Sequence, residues 1–134
     1  SNNSQVASLI DVMPTLLELC GGTVPDSVQG QSLVPVLSGK KETLEKDFTF
    51  IETPFCAMGI RTPTHMYGML MNSEDTAIDD DRYQFYDLQK DPYELNNLAK
   101  TDDSAALANE FRAKLVKWDK ESPRLKGLKY KPWA

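Results

Sequence analysis

Apolar positions recur along the chain with two different periods. In VASLIDVMPTLLELCGG a short extended run ends at Asp11, a helix N-cap, after which Val12, Leu16, Leu17 and Cys20 share one helical face. Pro14 is tolerated in the first turn, and Gly21 or Gly22 closes the helix. VPDSVQGQSLVPVLSG reads as a turn-rich connection into a brief helix, with Ser32 as cap and Gly39 as stop. The period then shortens to two. DFTFIE, AMGIRT, HMYGMLM and YQFYDL are four short runs of β-formers separated by Pro, Gly and Asp-rich breaks, a spacing that predicts an antiparallel sheet. Between Asp103 and Asp119 the helical period returns in Leu107, Phe111, Leu115 and Trp118, and Pro123 forbids much continuation. Laying this helix across one face of the sheet buries both apolar surfaces, so the predicted fold class is α+β.

The stretch QFYDLQKDPYELNNLA, Gln84 to Ala99, is punctuated more heavily than an ordinary connection. Tyr86 and Leu88 alternate with polar neighbours until Lys90 and Asp91 interrupt the pattern. Asp91 then suits an N-cap, Pro92 a first helical position, and Glu94 a carboxylate reaching back to the Asp91 N–H. Asn96 and Asn97 tolerate left-handed backbone and are expected to end the turn. The capped turn at Asp91, Pro92, Glu94 and Asn97 is thus expected to be architectural, turning the last strand so that the C-terminal helix lands on the sheet.

Composition narrows the function classes. The chain has 134 residues and a net charge of −5, with a pI near 4.8, which argues against a nucleic-acid binder. Its basic cluster, Arg124, Lys126, Lys129 and Lys131, is interleaved with Leu125, Leu128, Tyr130 and Trp133 and reads as a solvated tail over a hydrophobic surface. No apolar run reaches the length of a membrane span, and no signal-like segment opens the chain. Cys20 and Cys56 read as packed free thiols rather than nucleophiles. The acidic run Asp79 to Asp81 lacks the glycine turn and ligand spacing of a calcium loop and is expected to be a solvated loop tip. His65 is the single histidine, which excludes an acid/base pair built on imidazoles.

SLIDVMPTLLELCG, QGQSLVPVLSG, GIRTPTHMYGML and FYDLQKDPYELNNLA, in that order, resemble the closing segments of the sulfatase family. Each motif alone is weak, but the ordered set is specific. The resemblance implies the C-terminal portion of an alkaline-phosphatase-like sulfatase. Residues 1–40 would close the larger α/β domain with short helices, and 41–134 would form a smaller four-stranded antiparallel sheet with a helix packed on it. Family members hydrolyse sulfate esters with a formylglycine made in a C/S-x-P-x-R motif and a calcium ion held by Asp and Asn side chains. Cys20 is followed by GGTV and Cys56 by AMGI, so no catalytic or metal-binding residue carries over.

Calcium, and a sulfated carbohydrate or aryl sulfate, are therefore implied for the parent and not for this chain. Its implied partner is the N-terminal catalytic part, and a periplasmic or secreted location is implied for a bacterial parent. Alternatives are a self-standing binding module derived from the family, or a piece of a related phosphoesterase or phosphonate hydrolase. Detached from the larger domain, the first helix is expected to expose apolar side chains and to invite self-association. Recognition in the parent is expected from ETPFCAMGIRTPTHMYG, which gathers Glu52, Phe55, Arg61, His65 and Tyr67. Aromatic rings suit a pyranose face, and charged or imidazole groups suit hydroxyls or a second sulfate. Glu52, Arg61 and His65 are the candidate contacts.

Overall fold

The structure, a computed structural model, describes residues 4–53, 57–71, 78–99, 101 and 104–122. It divides into two compact units, residues 1–49 with 61–63, and residues 50–60 with 64–134.

The first unit holds a 3₁₀ turn, Leu9–Asp11, helix α1, Val12–Leu19, and a short helix α2, Val34–Leu37. α1 starts and stops at the expected positions: Asp11 occupies the N-cap position without a side-chain capping bond, and Gly21 follows the helix with φ +73°. α1 exposes apolar side chains, as expected of a helix detached from a larger domain, and buries its more polar side. Pro14 and Thr15 face inward, whereas Val12, Met13, Leu16 and Leu19 are exposed. Cys20 is exposed as well, correcting its expected role as a packed thiol. The reason lies in hydrogen bonding. The buried Asp11 carboxylate accepts the Ser8 N–H at 2.9 Å and the Gln31 N–H at 2.8 Å. Behind it the Thr15 hydroxyl donates to the Asp11 carbonyl at 2.6 Å and accepts the Leu33 N–H at 2.9 Å. These bonds turn the Asp11, Pro14 and Thr15 side of the helix toward the 30–33 segment. Polar satisfaction fixes which face goes in, because an unpaired buried donor costs more than an exposed leucine.

Gly30 is part of the same clasp: a Cβ there would lie 2.0 Å from the Ile10 carbonyl oxygen. The side-chain amides of Gln5 and Gln31 both donate to the Lys46 carbonyl, at 3.0 and 2.6 Å. Val6 donates its N–H to Asp47 at 2.8 Å.

The second unit is a four-stranded antiparallel sheet in the order β1-β2-β3-β4. Its strands are β1, Thr49–Thr53, β2, Ala57–Arg61, β3, His65–Met71, and β4, Ile78–Asp87; helix α3, Ala105–Glu121, follows. The architecture is the α+β arrangement expected from the periods. β4 begins earlier than expected, because Asp79, Asp80 and Asp81 lie within the strand rather than at a loop tip. Pairing with β3 shifts there, from Met69 opposite Tyr83 to Leu70 opposite Asp79, so residues 80–82 form a bulge. A strand at the rim of a sheet accommodates such a bulge without breaking its partner, which a residue-type reading of three aspartates does not anticipate.

α3 covers one sheet face. Phe111 meets Phe85 edge-on at 5.9 Å, and Trp118 stacks on Phe50 at 4.7 Å. Met58, Ile60, Tyr67, Met69, Phe85, Ala108 and Leu115 are buried in this layer, and each large apolar side chain among them contributes about 1.5–3 kcal/mol. Pro123 and the basic tail from Arg124 to Trp133 lie outside the described residues.

Candidate functional site

Strand alternation sorts the candidates onto two faces. On β3, His65 and Tyr67 point toward α3, as Phe85 does on β4. The His65 ring stacks on Phe85 with centroids 5.3 Å apart and meets Phe111 edge-on at 6.1 Å, while Nδ1 lies 2.8 Å from the Thr64 hydroxyl. This half-buried imidazole is one layer of the aromatic core. Tyr67 is deeper, at 2% exposure, so its ring packs the sheet rather than facing a ligand. Glu52 on β1 and Arg61 at the end of β2 are exposed. Arg61 groups with the first unit, Glu52 and His65 with the second. Phe55 and Cys56 lie outside the described residues.

The opposite face of the sheet is open. It carries a groove of about 440 Å³ lined by Ile51, Ala57, Gly59, Met66, Gly68 and Leu70, with Gln84 and Asn97 at one side. Gly59 is required there, since a Cβ would stand 2.9 Å from the Tyr67 carbonyl oxygen.

The turn after β4 is built by three side chains. Asp87 accepts the N–H groups of Gln89 at 3.0 Å and Lys90 at 3.2 Å, and its other oxygen lies 3.2 Å from the Lys90 ammonium. The Lys90 ammonium foremost, then these backbone donors, hold its carboxyl below the usual range. Asp91 accepts the Asn96 N–H at 2.6 Å, and that bond, with the Leu95 N–H next, lowers its pKa as well. The expected reciprocal bond is absent: the Asp91 N–H donates to the Asp87 carbonyl at 2.8 Å, not to Glu94. Residues 91–94 form a single turn closed by Glu94 N–H donating to the Asp91 carbonyl at 3.1 Å. The left-handed residue is Glu94, φ +57°, rather than Asn96 or Asn97. Asn97 instead reaches back to the sheet. Its Oδ1 accepts the N–H of Phe85 at 3.0 Å and of Ala99 at 2.9 Å, and the Leu98 N–H donates to the Phe85 carbonyl at 2.8 Å. Beyond it, the buried Ser104 hydroxyl donates to the Leu98 carbonyl at 2.7 Å, tying this segment to the start of α3.

Among the described residues no group of three or more His, Cys, Asp or Glu side chains could hold a metal ion. No helix among them is long and apolar enough to cross a membrane.

The family described as N-sulphoglucosamine sulphohydrolase, C-terminal, matches residues 1–121. The chain belongs to this family. Relatives of this sulfatase C-terminal domain include the multifunctional alkaline phosphatase superfamily protein PehA of Trinickia caryophylli, 31% identical over 122 residues, covering 81% of this chain and 23% of the relative. The Delta 4,5-hexuronate-2-O-sulfatase of Bacteroides thetaiotaomicron is 31% identical over 106 residues, covering 79% and 22%. A structure solved in complex with its substrate D-glucosamine-2-N,6-O-disulfate superposes with a TM-score of 0.67 at 27% identity, covering 87% of this chain and 25% of that one. The chain therefore spans about a quarter of the length of these relatives. For a sulfatase C-terminal domain, the legible motifs acquire physical reasons. The Asp11, Thr15 and Gly30 clasp holds the first unit, and the Asn97 bond pins the turn onto β4.

Proposed function

We propose that this domain completes the fold of a sulfuric ester hydrolase and helps to wall its substrate cleft. The observation that carries the reading is the match of residues 1–121 to a sulfatase C-terminal family. The likeness to an enzyme solved with a disulfated glucosamine supports a sulfated carbohydrate as the substrate class, with an aryl sulfate as the simpler alternative. The nucleophile and calcium belong to the remainder of the parent. Neither cysteine here is followed by the Pro and Arg that formylglycine formation requires, and among the described residues no group of three or more His, Cys, Asp or Glu side chains could hold a metal ion. A sequence without the formylglycine motif lacks the nucleophile that sulfate transfer in this family uses.

In this reading Glu52 and Arg61, exposed at strand positions, bind hydroxyl or sulfate groups, and His65 at the start of β3 is the third contact. A bacterial parent would act in the periplasm or outside the cell. A phosphoester- or phosphonate-cleaving parent is the second reading, favoured by the relative named as a multifunctional alkaline phosphatase superfamily protein. Kinetics of the parent decide. Arg61→Ala and Glu52→Ala each raise KM for a sulfated sugar, while an unchanged KM and kcat in all three variants, His65→Ala included, with the fold intact, makes the segment scaffolding. A parent that cleaves phosphonate esters and not sulfate esters establishes the second reading.

A further inference from the structure

We draw no further inference here: the strongest candidate, the apolar groove of about 440 Å³ on the sheet face opposite α3, lined by Ile51, Ala57, Gly59, Met66, Gly68 and Leu70, carries none because nothing in the structure shows what covers it.

Discussion

The side-chain oxygen of Asn97 accepts the backbone N–H of Phe85 at 3.0 Å, taking the place that a neighbouring strand would occupy on the outer edge of β4. Phe85 is at the centre of the aromatic layer between sheet and helix, so this bond links the direction of the chain after the turn to the register of the core. Exposed strand edges template unwanted pairing, and a side-chain amide bonded to the edge is one way to blunt it. Asn97→Ala removes the acceptor from two N–H groups and is expected to cost about 1–2 kcal/mol. Urea unfolding checks it as a lowered midpoint at unchanged slope; an unmoved midpoint contradicts this role.

Asp91 gives the turn a pH dependence of definite sign. Its folded-state pKa lies below the ordinary 3.8 because the carboxylate accepts the Asn96 and Leu95 N–H groups. The contribution to stability is therefore complete above that ordinary value and is lost as pH falls through the depressed folded value. The difference in urea midpoint between the native chain and Asp91→Asn is expected to be greatest near neutrality and to shrink once pH drops well below 3.8. A difference that grows on acidification refutes this assignment.

The clasp in the first unit predicts a steric failure. Gly30→Ala forces a methyl to within 2.0 Å of the Ile10 carbonyl oxygen, and is expected to destabilise by about 1–3 kcal/mol or more, because backbone and not a flexible side chain must yield. Asp11→Ala leaves the Ser8 and Gln31 N–H groups unpaired at a site only 3% exposed, and is expected to cost about 1–3 kcal/mol. Limited proteolysis of residues 5–47 is the readout, both variants being cut faster than the native chain.

Leu16 and Leu19 are 56% and 61% exposed on α1. Replacing both with Gln is expected to change stability by no more than about 0.5 kcal/mol at each position and to reduce self-association in sedimentation at high concentration. If stability falls by several kcal/mol, that face is buried in solution.

Much of this was readable from residue order. Periods of two and of three to four residues place β1 to β3 and α3, because burying one face of an element imposes that spacing on its sequence; α1 carries the helical period too, although its apolar side is exposed in this structure. The acidic start of β4 was not readable: backbone pairing with Leu70 and Met71 extends the strand through residues whose type disfavours it. The buried side of α1 was hidden for a similar reason, since Asp11 and Thr15 face inward to satisfy distant N–H groups that no local pattern displays. In the turn, the aspartates predicted capping, yet the bond from Asn97 to Phe85 spans twelve positions, and helical capping rules reach only one turn. For the candidate contacts the sequence supplied chemistry without placement. Only the folded chain separates the imidazole of His65, stacked on Phe85, from the exposed Glu52 and Arg61.

The most direct measurement of the account is sulfate release from an aryl or sugar sulfate by three preparations: this chain alone, the catalytic part of its parent alone, and the two together. Without the formylglycine motif in its sequence, the chain alone is expected to release nothing, with or without added calcium. The catalytic part alone is expected to be inactive or strongly impaired, and activity is expected to return when the two are combined. Sulfate release by the rigorously purified chain, or full activity of the catalytic part in its absence, would contradict the claim that this domain completes the fold of a sulfuric ester hydrolase.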